Sequence, residues 1–214
     1  MTETLPGLWP EPLAEPVTPP PPMQRHTEQT MIDRLIRRYS RTVQNGDWIG
    51  HKWMWATQVP NRSMMSYGTP LRRADFVAID TASADHLQMD VFEVKVSRAD
   101  FRTELRDPEK PEAFRRYAKR FWYVVPDKAI VGADLPPWAG LLVAQGPELL
   151  RVARNPSING APDPMPTDMV TMVMRAIQST AIEHGGSDCD CGPARRARQL
   201  LTTGVDRGSL DLPG

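Results

Sequence analysis

A chain of 214 residues with 26 Lys and Arg against 26 Asp and Glu carries no formal net charge, so any nucleic-acid partner must be argued from local charge. It has no apolar run of the roughly 18 residues that a bilayer core demands, and its start lacks a basic region followed by an apolar stretch, which reads as soluble and intracellular. Cys189 and Cys191 lie too close together to staple distant segments, which excludes a secreted disulfide framework and fits a reducing cytoplasm.

In chain order, residues 1 to 25 hold Pro6, Pro10, Pro12, Pro16 and the run Pro19 to Pro22, with too few large apolar side chains to offset the entropy of ordering, so a flexible arm is expected there. A single domain is expected over 26 to 184. Its first helix starts at a Thr27 cap and runs to about Val43, with Ile32, Leu35, Ile36, Tyr39 and Val43 at core-facing spacing. Arg34, Arg37, Arg38 and Arg41 repeat at the same spacing on the opposite face, and Glu28 falls four residues before Ile32, on the apolar side. Strands are predicted over 53 to 59, 74 to 80 and 88 to 96. A helical stretch broken near Pro108 and Pro111 fills 98 to 120, and an apolar strand, 121 to 125, is closed by Pro126. Two further strands, 139 to 144 and 149 to 153, precede a helix over 167 to 182 whose stripe includes Met169, Val170, Val173, Met174 and Ile177. From 185 to 214 a second flexible tail is expected. The order of elements predicts an α/β fold with a mixed central sheet flanked by helices.

The chemistry-bearing stretch is Arg72-Arg73-Ala74-Asp75 with the apolar run after it, a turn, and then Asp90-Val91-Phe92-Glu93-Val94-Lys95. Alternation along a strand puts Glu93 and Lys95 on one face, and pairing of the two strands brings Asp75 beside them. Two carboxylates and an ammonium in one place suit phosphodiester hydrolysis. Hard oxygen ligands hold Mg²⁺ (or Mn²⁺) against the scissile phosphate, the Val94 carbonyl completes the coordination, and a positive side chain orients water and balances developing charge. Lys95 need not be the base.

The segment from Arg72 to Pro126 resembles the PD-(D/E)xK nucleases, and more closely the MmcB-like group of DNA repair proteins. The resemblance rests on Arg73-Ala74-Asp75, on Glu93-Val94-Lys95 followed by Ser97-Arg98-Ala99-Asp100-Phe101, and on an aromatic strand ending in Val125-Pro126. It implies a restriction-endonuclease-like sheet, Mg²⁺-dependent DNA cleavage, Asp75, Glu93 and Lys95 as catalytic residues, and Glu28 as a further metal ligand from the first helix. The sequence departs from the family in the polar insertion between the two motif strands and in the Pro108 to Pro111 interruption. Arg73 and Ser97 within the motifs, with Arg98, Arg102, Arg115, Arg116 and Lys119 beyond them, are the candidate DNA contacts. From Lys95 to Arg120 nine basic residues face five acidic ones.

Each feature also has a plainer origin. An Asp followed later by Glu-x-Lys is most often a salt-bridged sheet surface, and a mixed-charge helix is usually a solvated face. Trp53 and Trp55 read as packing residues before stacking platforms. His184, Cys189 and Cys191 lack the paired spacing of a zinc site. The expected function is a metal-dependent deoxyribonuclease of repair, recombination or genome processing. It would act by DNA structure and not by sequence, in the cytoplasm or on a nucleoid, with a repair or replication protein as a further partner. The competing reading is a DNA-binding or scaffolding protein that kept the fold without turnover, and a third is an adaptor that works through the proline arm.

Overall fold

A computed structural model describes residues 26–40, 42–45, 48–62, 70–82 and 88–184. The expected proline arm, the C-terminal tail with both cysteines, and Arg41 lie outside the described residues.

Helix α1, Glu28–Tyr39, starts on a reciprocal cap: the Thr27 hydroxyl accepts from the Thr30 backbone N–H, and the Thr30 hydroxyl accepts from the Thr27 N–H. It buries Met31, Ile32, Leu35 and Tyr39. The helix stops four residues short of the expected Val43. Thr42–Asn45 (β1) and Trp48–His51 (β2) pair antiparallel instead, with Asn45 opposite Trp48. β-branched Thr42 and Val43 leading into Asn45-Gly46 is a hairpin signal, and it outweighs the helical spacing of Val43.

The central sheet contains Trp53–Pro60 (β3), Arg73–Asp80 (β4), Gln88–Val94 (β5), Arg120–Val125 (β6), Gly140–Gln145 (β7) and Leu149–Arg154 (β8), in the order β3-β4-β5-β6-β7-β8. The β5/β6 and β6/β7 pairs are parallel and the others antiparallel. The parallel β5 to β6 connection requires a crossover, and helices α2, Arg98–Leu105, and α3, Glu109–Arg115, supply it. The break between them falls at Pro108, where the missing N–H and fixed φ suit a helix start. Helix α4, Thr167–His184, returns to the β3 edge, where the Thr180 hydroxyl accepts from the Thr57 N–H at 3.2 Å. Its buried stripe runs through Met169, Met172 and Val173, so Met174, expected in that stripe, faces solvent at 66% exposure.

Strand alternation splits the core in two. Val77, Ile79, Val91, Phe121 and Tyr123 pack with Phe101 of α2, Phe114 of α3 and Met169 of α4. Phe76, Ala78, Phe92, Val94, Trp122 and Val124 pack with Met31, Leu35 and Tyr39 of α1. The result is a mixed α/β protein with one six-stranded mixed sheet and helices on both faces. No helix among the described residues is long and apolar enough to cross a membrane.

The arginines of α1 are engaged with the rest of the fold, Arg37 and Arg38 from an exposed position and Arg34 from a buried one. Arg34, only 4% exposed, donates to the carbonyls of Gly146 and Leu149 at 2.9 Å, and Arg38 donates to the Leu150 carbonyl at 3.2 Å. Arg37 pairs with Glu148. The face clamps the β7/β8 turn onto α1, because a hairpin end offers carbonyls that need donors.

Asp90 is buried in the middle of β5 and bonds Arg120 Nε at 2.7 Å; burial pushes its carboxyl up to about 6 despite that partner. The folded chain therefore holds this proton over a pH range in which the unfolded chain, with a carboxyl near 3.9, has released it. The group's stabilising contribution is complete below about pH 4 and is lost as pH rises through 6. Urea titrations across pH 4 to 6.5 are expected to show Asp90→Asn gaining about 2–3 kcal/mol relative to wild type over that interval. A constant difference would contradict the assignment.

Candidate functional site

Asp75, Glu93 and Lys95 do converge, at the end of the sheet where β5 finishes. Phe76 is registered opposite Phe92, and continuing that antiparallel register by one residue sets Asp75 opposite Glu93. Both side chains then share the α2/α3 face, as does Lys95 two residues further on. The Asp75 Oδ2 accepts from the Val94 backbone N–H at 2.7 Å, which ties the two strands together just past their last ladder pair.

Two residues with no place in the sequence motif complete the site. Glu104 of α2 and Lys110 of α3 reach down from the crossover. Lys95 Nζ lies 2.6 Å from Glu104 Oε2 and 3.4 Å from Glu93 Oε2, and Lys110 Nζ lies 2.7 Å and 3.2 Å from the same two oxygens. Tyr123, one strand over, donates its hydroxyl to Glu104 Oε1 at 3.3 Å. Glu93, Lys95 and Glu104 are each 5% exposed or less, so this is a buried ion cluster and not a surface salt bridge. One signal for Glu104 was available: it follows Phe101 by three residues, which puts it on the inward face of α2. Lys110 gave no such signal.

Burial raises the Glu93 carboxyl well above the ordinary glutamate range, and the neighbouring Asp75 and Glu104 carboxylates push it in the same direction. Asp75 is raised by burial, with the Val94 N–H and Lys95 opposing. For Lys95, burial acts downward, but the Glu93 and Glu104 carboxylates outweigh it and hold the ammonium above the usual lysine value. Glu104 is lowered, since Lys95 and Lys110 overcome its own burial. With every group ionised, Asp75, Glu93 and Glu104 against Lys95 and Lys110 would leave one surplus negative charge, and the upward shifts of Asp75 and Glu93 are the response to it and to burial.

That surplus, and the mutual repulsion of Asp75 and Glu93, are what a divalent cation would relieve. Carboxylate oxygens are the donors Mg²⁺ prefers, and it commonly takes only one or two of them and keeps several waters. Among the described residues no group of three or more His, Cys, Asp or Glu side chains is assembled to hold an ion, and the carboxylates that the strand register sets opposite each other are two, Asp75 and Glu93. Glu28 sits on the first turn of α1, accepts from Gln58 Nε2 at 3.2 Å, and acts on Asp75 through its charge. Gln58 itself has φ of 52°, in the left-handed region that a side chain rarely adopts. It falls between the Thr57/Phe76 and Val59/Ala74 pairs, level with Asp75. Strained backbone of this kind clusters where a site must be held in place.

The expected DNA contacts separate into groups. Arg73 and Arg102 are exposed. Ser97 caps α2, accepting from the Asp100 N–H at 3.2 Å. Arg98 is engaged with Asp134 at 2.6 Å and with the Ala129 and Ile130 carbonyls, so it latches α2 to the turn after β6. Arg115 pairs with Glu112 and lies over the Trp138 ring, and Arg116 is 3.7 Å from Asp163. With Lys119 they line a cleft of about 350 Å³ near the start of β6. The crossover carries them away from Glu93, because α3 must run back toward the beginning of the parallel strands. They do not form one basic track with Arg73 and Arg102. Trp53 packs edge-on against Tyr39 and Trp55 stacks on Phe76, in agreement with a packing role.

No family model matches this chain, and no curated protein matches it. Among solved structures it is similar to the SPO1766 protein of unknown function from Silicibacter pomeroyi, at 16% identity and a TM-score of 0.45, over 85% of this chain and 94% of that one.

Because Lys95 is buried between two carboxylates, its removal leaves them uncompensated. Lys95→Met is expected to cost about 3–5 kcal/mol of folding stability by chemical denaturation, a figure typical of breaking a buried pair. Lys110, whose side chain is 27% exposed, should cost less on the same substitution. Equal and small losses would contradict the buried-cluster description. It follows that Lys95→Ala, an obvious test of catalysis, would disturb the fold as well.

Proposed function

We propose that the chain is a metal-dependent deoxyribonuclease of the PD-(D/E)xK type, acting in DNA repair or related genome processing. The observation that carries this reading is the convergence of Asp75 from β4 with Glu93 from β5 and Lys95 just past its end, on one face at the carboxyl end of β5. In open α/β sheets that end is where ligands bind. Asp75 and Glu93 would hold Mg²⁺ or Mn²⁺. When bound, the ion would supply Lewis acidity toward a phosphate oxygen and acidify an attacking water.

The chain's own residues divide the remaining work. The Val94 N–H fixes Asp75 by its Oδ2, which leaves the orientation of the other carboxylate oxygen set by the strand pair. Lys95, kept protonated by Glu93 and Glu104, is a cation and not a base, suited to stabilising charge that develops on the phosphate. Glu104 and Tyr123 hold Lys95 in register. Arg73 and Arg102 are the exposed cations available to a phosphate backbone. A cytoplasmic location and a DNA partner selected by shape are part of the same reading.

One observation favours a second reading, a DNA-binding protein without turnover. Lys110 already neutralises Glu93 at 3.2 Å, as a cation built into the fold. Labelled single-stranded, duplex and branched DNA, incubated with Mg²⁺, Mn²⁺ or EDTA, separates the two. Cleavage that needs the ion and falls at least about a thousandfold in Asp75→Asn and in Glu93→Gln is expected, a loss of the size that removing an essential group produces. Both variants preserve shape and the Asp75 acceptor. Undiminished cleavage in the double variant would overturn the assignment. Salt-sensitive binding with no cleavage in any metal would favour the binding protein.

A further inference from the structure

On the far side of the sheet from Glu93, between α1, β6 and the β7/β8 turn, lies a cleft of about 390 Å³. Its basic lining is Arg34, Arg37, Arg38 and Arg120, set against Asp90 and Glu148, so the guanidinium groups outnumber the carboxylates by two. Partly exposed Trp53 supplies an aromatic side to the cleft, next to the buried edges of Tyr39 and Trp122. Arg34 is 96% buried by its 4% exposure, and although one of its terminal nitrogens serves the Gly146 and Leu149 carbonyls, its Nε has no acceptor. A buried charged donor without an acceptor is costly, so a group that brings one is favoured there. The indole N–H of Trp122, also buried, faces Asp90 without meeting hydrogen-bond geometry.

We propose that this cleft binds a nucleoside monophosphate, either free or as the 5′-phosphorylated terminal nucleotide of a strand, with the phosphate on the arginines and the base against Trp53. The charge fits: a phosphate monoester carries about −1.5 to −2 near neutral pH, against the excess of two guanidinium groups. Arginine forks match phosphate oxygens in pairs, and Arg37 and Arg38 are adjacent to the unpartnered Arg34 Nε. A tryptophan ring accepts any base by stacking, which suits recognition of a terminal nucleotide without sequence preference. The volume lies within the range of small-ligand pockets.

Glu148 has a defined part in this arrangement. It pairs with Arg37 at the mouth, and both side chains are more than half exposed. The carboxylate is thus the anion a phosphate would displace. Removing it should free Arg37 and strengthen binding, while reversing the Arg37 charge should weaken it.

The test is calorimetric titration of the full chain in EDTA, which keeps any cleavage silent. The titrants are thymidine 5′-monophosphate, thymidine, inorganic phosphate, and a short oligothymidylate with or without a 5′-phosphate. Saturable binding of the monophosphate is expected, weakened about tenfold or more by Arg37→Glu/Arg38→Gln, tightened up to about fivefold by Glu148→Gln, and unchanged by Asp75→Asn. The phosphorylated oligonucleotide binding more tightly than the free monophosphate identifies a strand end as the source, and the reverse identifies the free nucleotide. No saturable binding of either at millimolar concentration, or binding that ignores both the arginine and the Glu148 variants, overturns the proposal. Inorganic phosphate binding as tightly as the monophosphate overturns the nucleotide assignment. Loss of cleavage at the Asp75 site would leave all these outcomes unaffected, because the two sites lie on opposite faces of the sheet.

Discussion

The pairing of two acids and two lysines across the β5 to β6 crossover, Glu93 and Glu104 with Lys95 and Lys110, is the constraint on which this chain's architecture turns. Taking any one of these charges out of water alone would cost several kcal/mol, so none is tolerable without the others. A strand must therefore end here, α2 must present Glu104 inward, and α3 must begin close enough for Lys110 to reach over. Pro108 starts α3 at that place, and Arg98 pins α2 to the next loop through Asp134. The interruption of the helical stretch is what lets Lys110 enter the cluster.

The same pairing leaves a charge imbalance that a simple salt bridge would not have. Asp75 adds a third carboxylate without a third ammonium, and Glu93 is raised by burial and then by both neighbours. An internally neutral quartet would have no use for a metal, whereas a quartet with an added carboxylate beside it would. Strain at Gln58, directly across from Asp75, and the Gln58 bond to Glu28 bring a fourth carboxylate to the edge of that field. How far Glu28 enters it is decided by α1, which is anchored at its other end by the arginine clamp on the β7/β8 turn.

Strand alternation made much of this legible in the sequence. It correctly separated Phe92 and Val94 from Glu93 and Lys95, and those two parities became the two cores. Periodicity also gave the last helix, over 167 to 182 where the structure runs to His184, though it admitted Met174 where Met172 is buried, because both are apolar and two residues apart on a wide stripe. Two kinds of information were not local. The register that sets Asp75 opposite Glu93 depends on strand pairing, and the partners of the α1 arginines are carbonyls more than a hundred residues away, which no spacing rule contains. Arg115, Arg116 and Lys119 were grouped with the site by sequence proximity, but a crossover helix carries residues away from the strand end at which it begins. Asn45-Gly46 was a local signal, and helical spacing alone obscured it.

The claim on which the functional account depends is that Asp75 and Glu93 hold a divalent cation against the competition of Lys110. Mn²⁺ titration followed by electron paramagnetic resonance measures it without reference to cleavage or substrate. The account predicts one bound ion per chain, lost in Asp75→Asn/Glu93→Gln and bound more tightly in Lys110→Met, where the built-in cation is gone. Binding in wild type that persists unchanged in both variants, or no binding in either wild type or Lys110→Met, would contradict it.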